Sequence, residues 1–111
     1  MTGRILTIAF IAVVAVGVAP AFAQGDAAKG AAVFAAQKCS MCHSVAGKGN
    51  AKGSLDAVGT KLSADDIRAW IVDATGQTAK TKAPRKPAMK NYALPKEDVD
   101  ALVAYLSTLK K

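Results

Sequence analysis

Beyond residue 23, hydrophobic positions recur at spacings of three and four, the period of an α-helix, in three separate segments. The first predicted helix runs from about Asp26, its N-cap, to Lys38, and the second starts at Ser63. The third begins at Pro95, which suits a first-turn position. The apolar stripes are Ala27, Gly30, Ala31 and Phe34; Ile67, Trp70, Ile71 and Ala74; and Val99, Leu102, Val103, Leu106 and Leu109. No stretch alternates apolar and polar residues, so the sequence predicts an all-α fold with essentially no sheet.

The start of the chain has the pattern of an export signal. Arg4 gives a positive start, residues 5–18 are all apolar residues or Gly apart from Thr7, and residues 21–23 offer a small-x-small cleavage site. We expect residues 1–23 to be cleaved as a signal peptide and residues 24–111 to form one domain in the periplasm or another extracytoplasmic compartment. An uncleaved membrane anchor is the alternative, because the apolar leader approaches the roughly 20 residues of a membrane span.

The predicted domain is small and poor in large side chains. The whole chain has one Trp, two Tyr and three Phe in 111 residues, and its predicted helices are rich in Ala. Small exported domains usually need disulfides, a metal or another internal support. Because two cysteines allow at most one disulfide bridge, we expect something large to fill the centre.

A candidate for that filling follows the first predicted helix, where residues 39–43 form the C-x-x-C-H pattern of covalent c-type haem attachment. Two thiols three positions apart on a helical turn can reach the two vinyl groups at one edge of a porphyrin. The next residue then projects its imidazole beneath the iron. Cys39 and Cys42 are therefore the predicted thioether links to one haem c, and His43 is the predicted proximal iron ligand.

Other kinds of site also use cysteines at this spacing. A structural zinc site needs four ligands, whereas the chain has two Cys and one His. A thioredoxin-type dithiol expects a β-strand before the motif, and a helix is predicted there instead. A plain disulfide between Cys39 and Cys42 would close too short a loop to add much stability. Haem attachment is favoured, with a thiol oxidoreductase and a structural disulfide as the alternatives.

The sixth iron ligand is predicted by elimination among three methionines. Met1 lies in the leader, and Met41 sits between the attachment cysteines, where it cannot reach the opposite haem face. Met89 lies in a segment stiffened by Pro84 and Pro87, which disfavour helix and suit an extended strap across that face. We therefore predict Met89 as the distal axial ligand. The alternative is an ordinary core methionine.

With these residues in place, the chain from about residue 26 to residue 109 resembles the class I cytochromes c, small monohaem electron carriers. The resemblance rests on C-x-x-C-H, on the order of helices and loops, and on Gly30, Phe34 and Tyr105, which match a family pattern where the first and last helices cross. It implies a small cytochrome c-like fold, with three main helices and loops wrapped around the haem. The family usually has Pro, whose carbonyl accepts a hydrogen bond from the proximal imidazole, where this chain has Ser54. We expect the Ser54 carbonyl to take that role.

If the protein fills both axial positions, the iron has no vacancy for a substrate. We therefore expect a one-electron carrier and not an enzyme. Trp70, Tyr92 and Arg68 are candidate donors to the haem propionates. Two alternatives keep the haem: a cytochrome c subunit of a larger dehydrogenase or oxidase complex, and a haem sensor or enzyme with a labile sixth ligand.

Charge suggests how redox partners are met. The formal net charge is +7, and no acidic residue lies between Asp73 and Glu97. That interval contains Lys80, Lys82, Arg85, Lys86 and Lys90. Such a one-sided basic field would steer the protein onto acidic patches of redox partners; a solvated face without a partner is the alternative. We expect a monomer that binds no nucleic acid and has no membrane span in its mature form.

Overall fold

The computed structural model describes residues 11–14 and 22–111 and is mainly helical. The α-helices are α1 (Phe22–Ala36), α2 (Val58–Lys61), α3 (Ala64–Val72), α4 (Ala74–Thr81) and α5 (Lys96–Ser107), and short 3₁₀-helices span Cys39–Met41 and Ala51–Gly53. Within these residues, the only paired strands are β1 (Ser44–Val45) and β2 (Lys48–Gly49), which are antiparallel. The all-α prediction is confirmed, and the sheet is limited to this one short pair.

The predicted signal peptide, residues 1–23, lies largely outside the described residues. Residues 11–14 are exposed and have no regular secondary structure. In the described part of the chain, no helix is long and apolar enough to cross a membrane. Cleavage after residue 23 stays a prediction.

The first helix begins earlier than its sequence pattern suggests. It starts at Phe22, not at the expected cap Asp26, which lies inside α1 at an exposed position. The residues before Asp26 include Ala and Gln, which favour helix, so the helix continues past the capping residue toward the N-terminus. The Asp26 cap was therefore wrong.

The predicted middle helix is two helices. Its start is confirmed, because the Ser63 hydroxyl accepts a hydrogen bond from the Asp66 amide at 3.1 Å. The chain leaves helical geometry at Asp73, where φ is −141° and ψ is 55°. The Asp73 carboxylate then caps α4 by accepting from the Gly76 amide at 3.1 Å. The Asp73 side chain thus caps a new helix, α4, at the point where α3 would otherwise continue.

The crossing of α1 and α5 forms the tightest contact between helices. Gly30 lies against the Ala101 carbonyl and the Tyr105 Cβ, so closely that a Cβ on residue 30 would collide with both. One turn further along α1, Phe34 meets Tyr105 edge to face, with ring centroids 5.8 Å apart and an interplanar angle of 67°. The Gly and aromatic pattern therefore marks a close helix crossing, as the family resemblance implied.

Helix α3 packs against α5 to complete the core. The buried cluster consists of Val33, Phe34, Ile67, Ile71, Val99, Leu102, Val103 and Leu106. On the outer side of this packing, Arg68 of α3 pairs with Asp100 of α5 at 2.7 Å, and Lys96 reaches the same carboxylate at 2.7 Å. The apolar stripes predicted for the second and third helices thus face each other.

Candidate haem-binding site

A cavity of about 490 Å³ lies between the end of α1, α3, α5 and the loop that joins α4 to α5. Its wall is mostly apolar, and its volume is in the range of about 300 to 1,000 Å³ that ligand sites occupy. Cys39, Cys42, His43 and Met89 all line it. The structure therefore brings the four residues singled out in the sequence to one place.

The two cysteines are positioned by the turn that ends α1. Lys38 adopts a left-handed conformation with φ of 56°, which stops the helix. Cys39–Met41 then forms a 3₁₀-helix, and the His43 amide donates to the Cys39 carbonyl at 2.9 Å. This turn brings Cys39, Cys42 and His43 onto the wall of one cavity. No disulfide joins Cys39 to Cys42, and burial raises the pKa of the Cys39 thiol.

The His43 imidazole is held by a backbone carbonyl. His43 Nδ1 lies 3.0 Å from the Gly53 carbonyl oxygen. Because a carbonyl can only accept, Nδ1 carries the proton, and Nε2 is left as the nitrogen free to bind a metal. Burial lowers the pKa of His43, the Gly53 bond raises it, and the Arg85 charge lowers it, with a net decrease. The neutral imidazole that a metal ligand requires is thereby favoured.

The carbonyl partner of His43 differs from the one expected. Gly53, not Ser54, accepts the hydrogen bond. A Cβ on Gly53 would collide with the Cys42 carbonyl and the Arg85 guanidinium, so only Gly allows this approach. Ser54 instead forms a parallel bridge with Ser44, which follows His43.

A further residue supports this half of the site and was missed in the sequence. The Asn50 side chain accepts from the Lys52 amide at 3.0 Å, capping the 3₁₀-helix that ends at Gly53. The same side chain donates to the Met41 carbonyl at 3.2 Å. Asn50 therefore ties the attachment turn to the segment that supplies the carbonyl for His43. Its capping role is the signal that sequence reasoning could have used.

Met89 approaches from a loop without regular structure. We call residues 82–95, which join α4 to α5, the Met loop; Met89 is half-buried in it and lines the cavity. The Tyr92 amide donates to the Ile71 carbonyl at 2.9 Å, and the Asn91 side chain accepts from the Thr75 amide at 2.9 Å. The loop is thus attached to the junction of α3 and α4 immediately after Met89.

The candidate propionate donors divide into two groups. Trp70 and Tyr92 line the cavity, whereas Arg68 does not and is paired with Asp100. Arg85, which was not singled out as a propionate donor, does line it. A second cavity of about 610 Å³ shares Trp70 and several neighbouring side chains with the first, but the cysteines, His43 and Met89 are not part of it. We therefore place the functional site in the smaller cavity.

The residues present fit a c-type haem. Two thiols and an imidazole come from one short turn, a thioether comes from a separate loop, and the walls between them are apolar. The family model for cytochrome c matches residues 27–110, which include the last two thirds of α1 and every helix and strand that follows it. The chain belongs to the cytochrome c family.

Membership of the cytochrome c family defines the cofactor and the general chemistry. The cofactor is haem c, an iron porphyrin attached covalently to the chain, and the chemistry is haem-based electron transfer. Family members generally carry electrons and are not enzymes. No match was found among curated proteins or among solved structures.

Proposed function

We propose that this cytochrome is an exported one-electron carrier whose iron is ligated by His43 and Met89, with Cys39 and Cys42 forming the thioether links. The observation that carries the proposal is the convergence of these four side chains on one apolar cavity. Haem c supplies a reversible one-electron change at its iron when bound. With a protein side chain at both axial positions, no coordination site remains for a substrate or for oxygen.

The residues around the cavity would support reversible one-electron transfer. The Gly53 carbonyl fixes the orientation and protonation of His43, and a fixed ligand keeps the geometry similar in both oxidation states. Apolar side chains such as Phe34, Ile67 and Leu102 line the cavity and exclude water. A thioether ligand favours the reduced iron and raises the reduction potential relative to a second imidazole.

The Met loop would form the docking surface for redox partners. Lys82, Lys86 and Lys90 are exposed on it. In the described ranges, no ion pair involves a cation of this loop, whereas Lys29, Arg68 and Lys96 on the helices are paired with carboxylates. The uncompensated positive charge would attract acidic patches and favour fast, salt-sensitive encounters. The export pattern of residues 1–23 supports a periplasmic or other extracytoplasmic location.

Ligation by Met89 is tested on the purified, haem-loaded protein. The oxidised wild type should show the red absorption band of a thioether-to-iron charge transfer, and the reduced wild type should not bind carbon monoxide. Met89→Ala should lose the band and bind carbon monoxide. Met41→Ala is the matched control, because Met41 is 70% exposed beside the haem cysteines and should be dispensable. Carbon monoxide binding by the wild type would favour a sensor or enzyme over a carrier. A band that survives in Met89→Ala would show that Met89 is not the thioether ligand.

Docking through the Met loop is tested with hexacyanoferrate(III), an anionic oxidant. The rate of oxidation of the reduced protein should fall as salt is added, because the attraction is screened. Lys82→Glu and Lys86→Glu should slow the reaction, whereas Lys110→Glu, the same change on an exposed residue beyond α5, should affect it less. Equal effects at all three positions would show that only net charge matters.

A further inference from the structure

We infer that Asn91 is a positioning residue that holds Met89 over the cavity by fastening the Met loop to the first turn of α4. The inference rests on the proposed ligation of the iron by Met89. It assigns to Asn91 no contact with the haem. Its effect is exerted through the loop that carries the ligand.

The geometry consists of two neighbouring attachments. The Asn91 Oδ1 atom accepts from the Thr75 amide at 2.9 Å, across 16 positions of sequence. The amide of the next residue, Tyr92, donates to the Ile71 carbonyl at 2.9 Å. In the described part of the chain, no other hydrogen bond joins residues 84–94 to the rest of the protein. Tyr92 and Leu94 also pack against the hydrophobic core. Among hydrogen bonds, this pair alone fixes the segment of described residues that contains Met89, two positions before Asn91.

The break between α3 and α4 creates the partner for Asn91. The first amides of a helix have no acceptor within the helix itself. Asp73 accepts from the Gly76 amide at 3.1 Å, and Asn91 takes the Thr75 amide. Thus the start of α4 is capped once by the residue that directly precedes the helix and once by a residue of the Met loop.

The exposure of the two partners indicates whether losing this hydrogen bond would affect α4 or the Met loop more. Asn91 and Thr75 are both exposed. If the Asn91 side chain were removed, water could satisfy the Thr75 amide, so α4 would lose little. Water cannot, however, replace the link that the Asn91 side chain makes between the Met loop and α4. The main effect of the loss should therefore fall on the Met loop and on Met89, and not on helix content.

The experiment measures how readily an added ligand displaces Met89. Imidazole is titrated into the oxidised, haem-loaded protein while the thioether-to-iron band is followed. Imidazole can bind only when Met89 has left the iron, so its apparent affinity reports the open fraction of the loop. Loss of a cap-type hydrogen bond should raise that fraction, and hence the affinity, about fivefold in Asn91→Ala. The side chain of Asn91→Ser is too short to reach the Thr75 amide, so this variant should raise the imidazole affinity as much as Asn91→Ala does.

Two further variants separate positioning from general stability. Asn91→Asp keeps an acceptor at the start of α4 and should restore an affinity within about twofold of wild type. Ser63→Ala removes a cap of similar length, 3.1 Å, from the start of α3 without touching the Met loop. It should lower the unfolding temperature and leave the imidazole affinity within about twofold of wild type.

The outcomes distinguish this inference from the ligation on which it rests. If the wild type shows the band and Asn91→Ala binds imidazole no better, the positioning role is wrong while Met89 ligation stands. The same holds if Ser63→Ala raises the affinity as much as Asn91→Ala. A wild type without the band overturns the ligation itself, and with it the role of Asn91.

Discussion

The α1–α5 crossing, through Phe34, and the Met loop, through Met89, both contribute to the cavity wall but are held in place by different means. At the crossing, Gly30 lets the helix backbones touch, and Phe34 packs edge to face on Tyr105. The Met loop has no helix or strand, and between its two ends it is joined to the rest of the described protein by hydrogen bonds at Asn91 and Tyr92. Local stability follows buried apolar contacts, so the crossing should open only with global unfolding and the loop at much lower cost.

This difference implies that the two predicted axial ligands are not equally secure. The attachment turn with His43 follows α1 directly and is further tied by Asn50 and Gly53. Met89 inherits only the stability of its loop. If the iron is ligated as proposed, the protein would keep its cofactor and the His43 ligand through fluctuations that release Met89.

The largest effect should come from Gly30→Ala. Although Ala is the better helix former by about 1 kcal/mol, its Cβ would meet the Ala101 carbonyl and force α1 away from α5. We expect the free energy of unfolding of the haem-loaded protein to fall by about 3 kcal/mol, measured by guanidinium titration. Ala35→Gly, at an exposed site on α1, is the control and should cost about 1 kcal/mol. A stabilised Gly30→Ala would mean that the crossing is not tightly packed.

Gly53→Ala should perturb the proximal side next. The added Cβ would collide with the Cys42 carbonyl and displace the carbonyl that accepts from His43. We expect a loss of about 1 to 3 kcal/mol in unfolding free energy and a higher reduction potential, because a weaker hydrogen bond makes His43 less electron-donating.

The control for this change is Gly47→Asn. Gly47 has φ of +79° with open space around it, and Asn tolerates that conformation better than other side chains. Neither stability nor potential should change appreciably. An unchanged potential in Gly53→Ala would contradict the role given to its carbonyl.

Arg85→Gln should have a smaller effect, on the potential alone. The Arg85 charge lowers the pKa of His43, so it also disfavours positive charge at the iron. Removing it should lower the reduction potential by about 20 to 40 mV, or about 0.5 to 1 kcal/mol for one electron. Arg85→Lys keeps the charge and should stay near wild type. Equal shifts in both variants, measured by redox titration, would point to lost packing instead of lost charge.

The smallest effect should come from Asp100→Asn in α5. Hydrogen bonds from Lys96 and Arg68 lower the pKa of the Asp100 carboxyl. A lowered folded-state pKa contributes stability above the unfolded-state pKa, and this contribution is lost as the pH falls through the folded-state pKa. The unfolding temperature of wild type should slightly exceed that of Asp100→Asn at neutral pH, and the difference should vanish in acid and shrink in high salt.

Sequence reasoning succeeded where a pattern is local. The helical stripes of α3 and α5 and the Ser63 cap follow from residues three or four positions apart, whereas the Gly30 crossing was implied by the family resemblance. It failed where distant backbone groups meet. The break at Asp73 was missed because its capping carboxylate competes with a continuous stripe through Ala74, and α4 buries little else. The Asn91 bond to Thr75 and the choice of Gly53 over Ser54 depend on how separate segments approach, which no short pattern encodes.

The most direct test of the contrast between the two sides of the cavity is a thermal melt of the oxidised, haem-loaded protein followed by two signals at once. The thioether-to-iron band reports Met89, and far-ultraviolet circular dichroism reports the helices. We expect the band to disappear at a clearly lower temperature than the helical signal, because the Met loop opens before α1 and α5 separate. Coincident loss of both signals would contradict this, since it would show that Met89 is held as firmly as the packed helices.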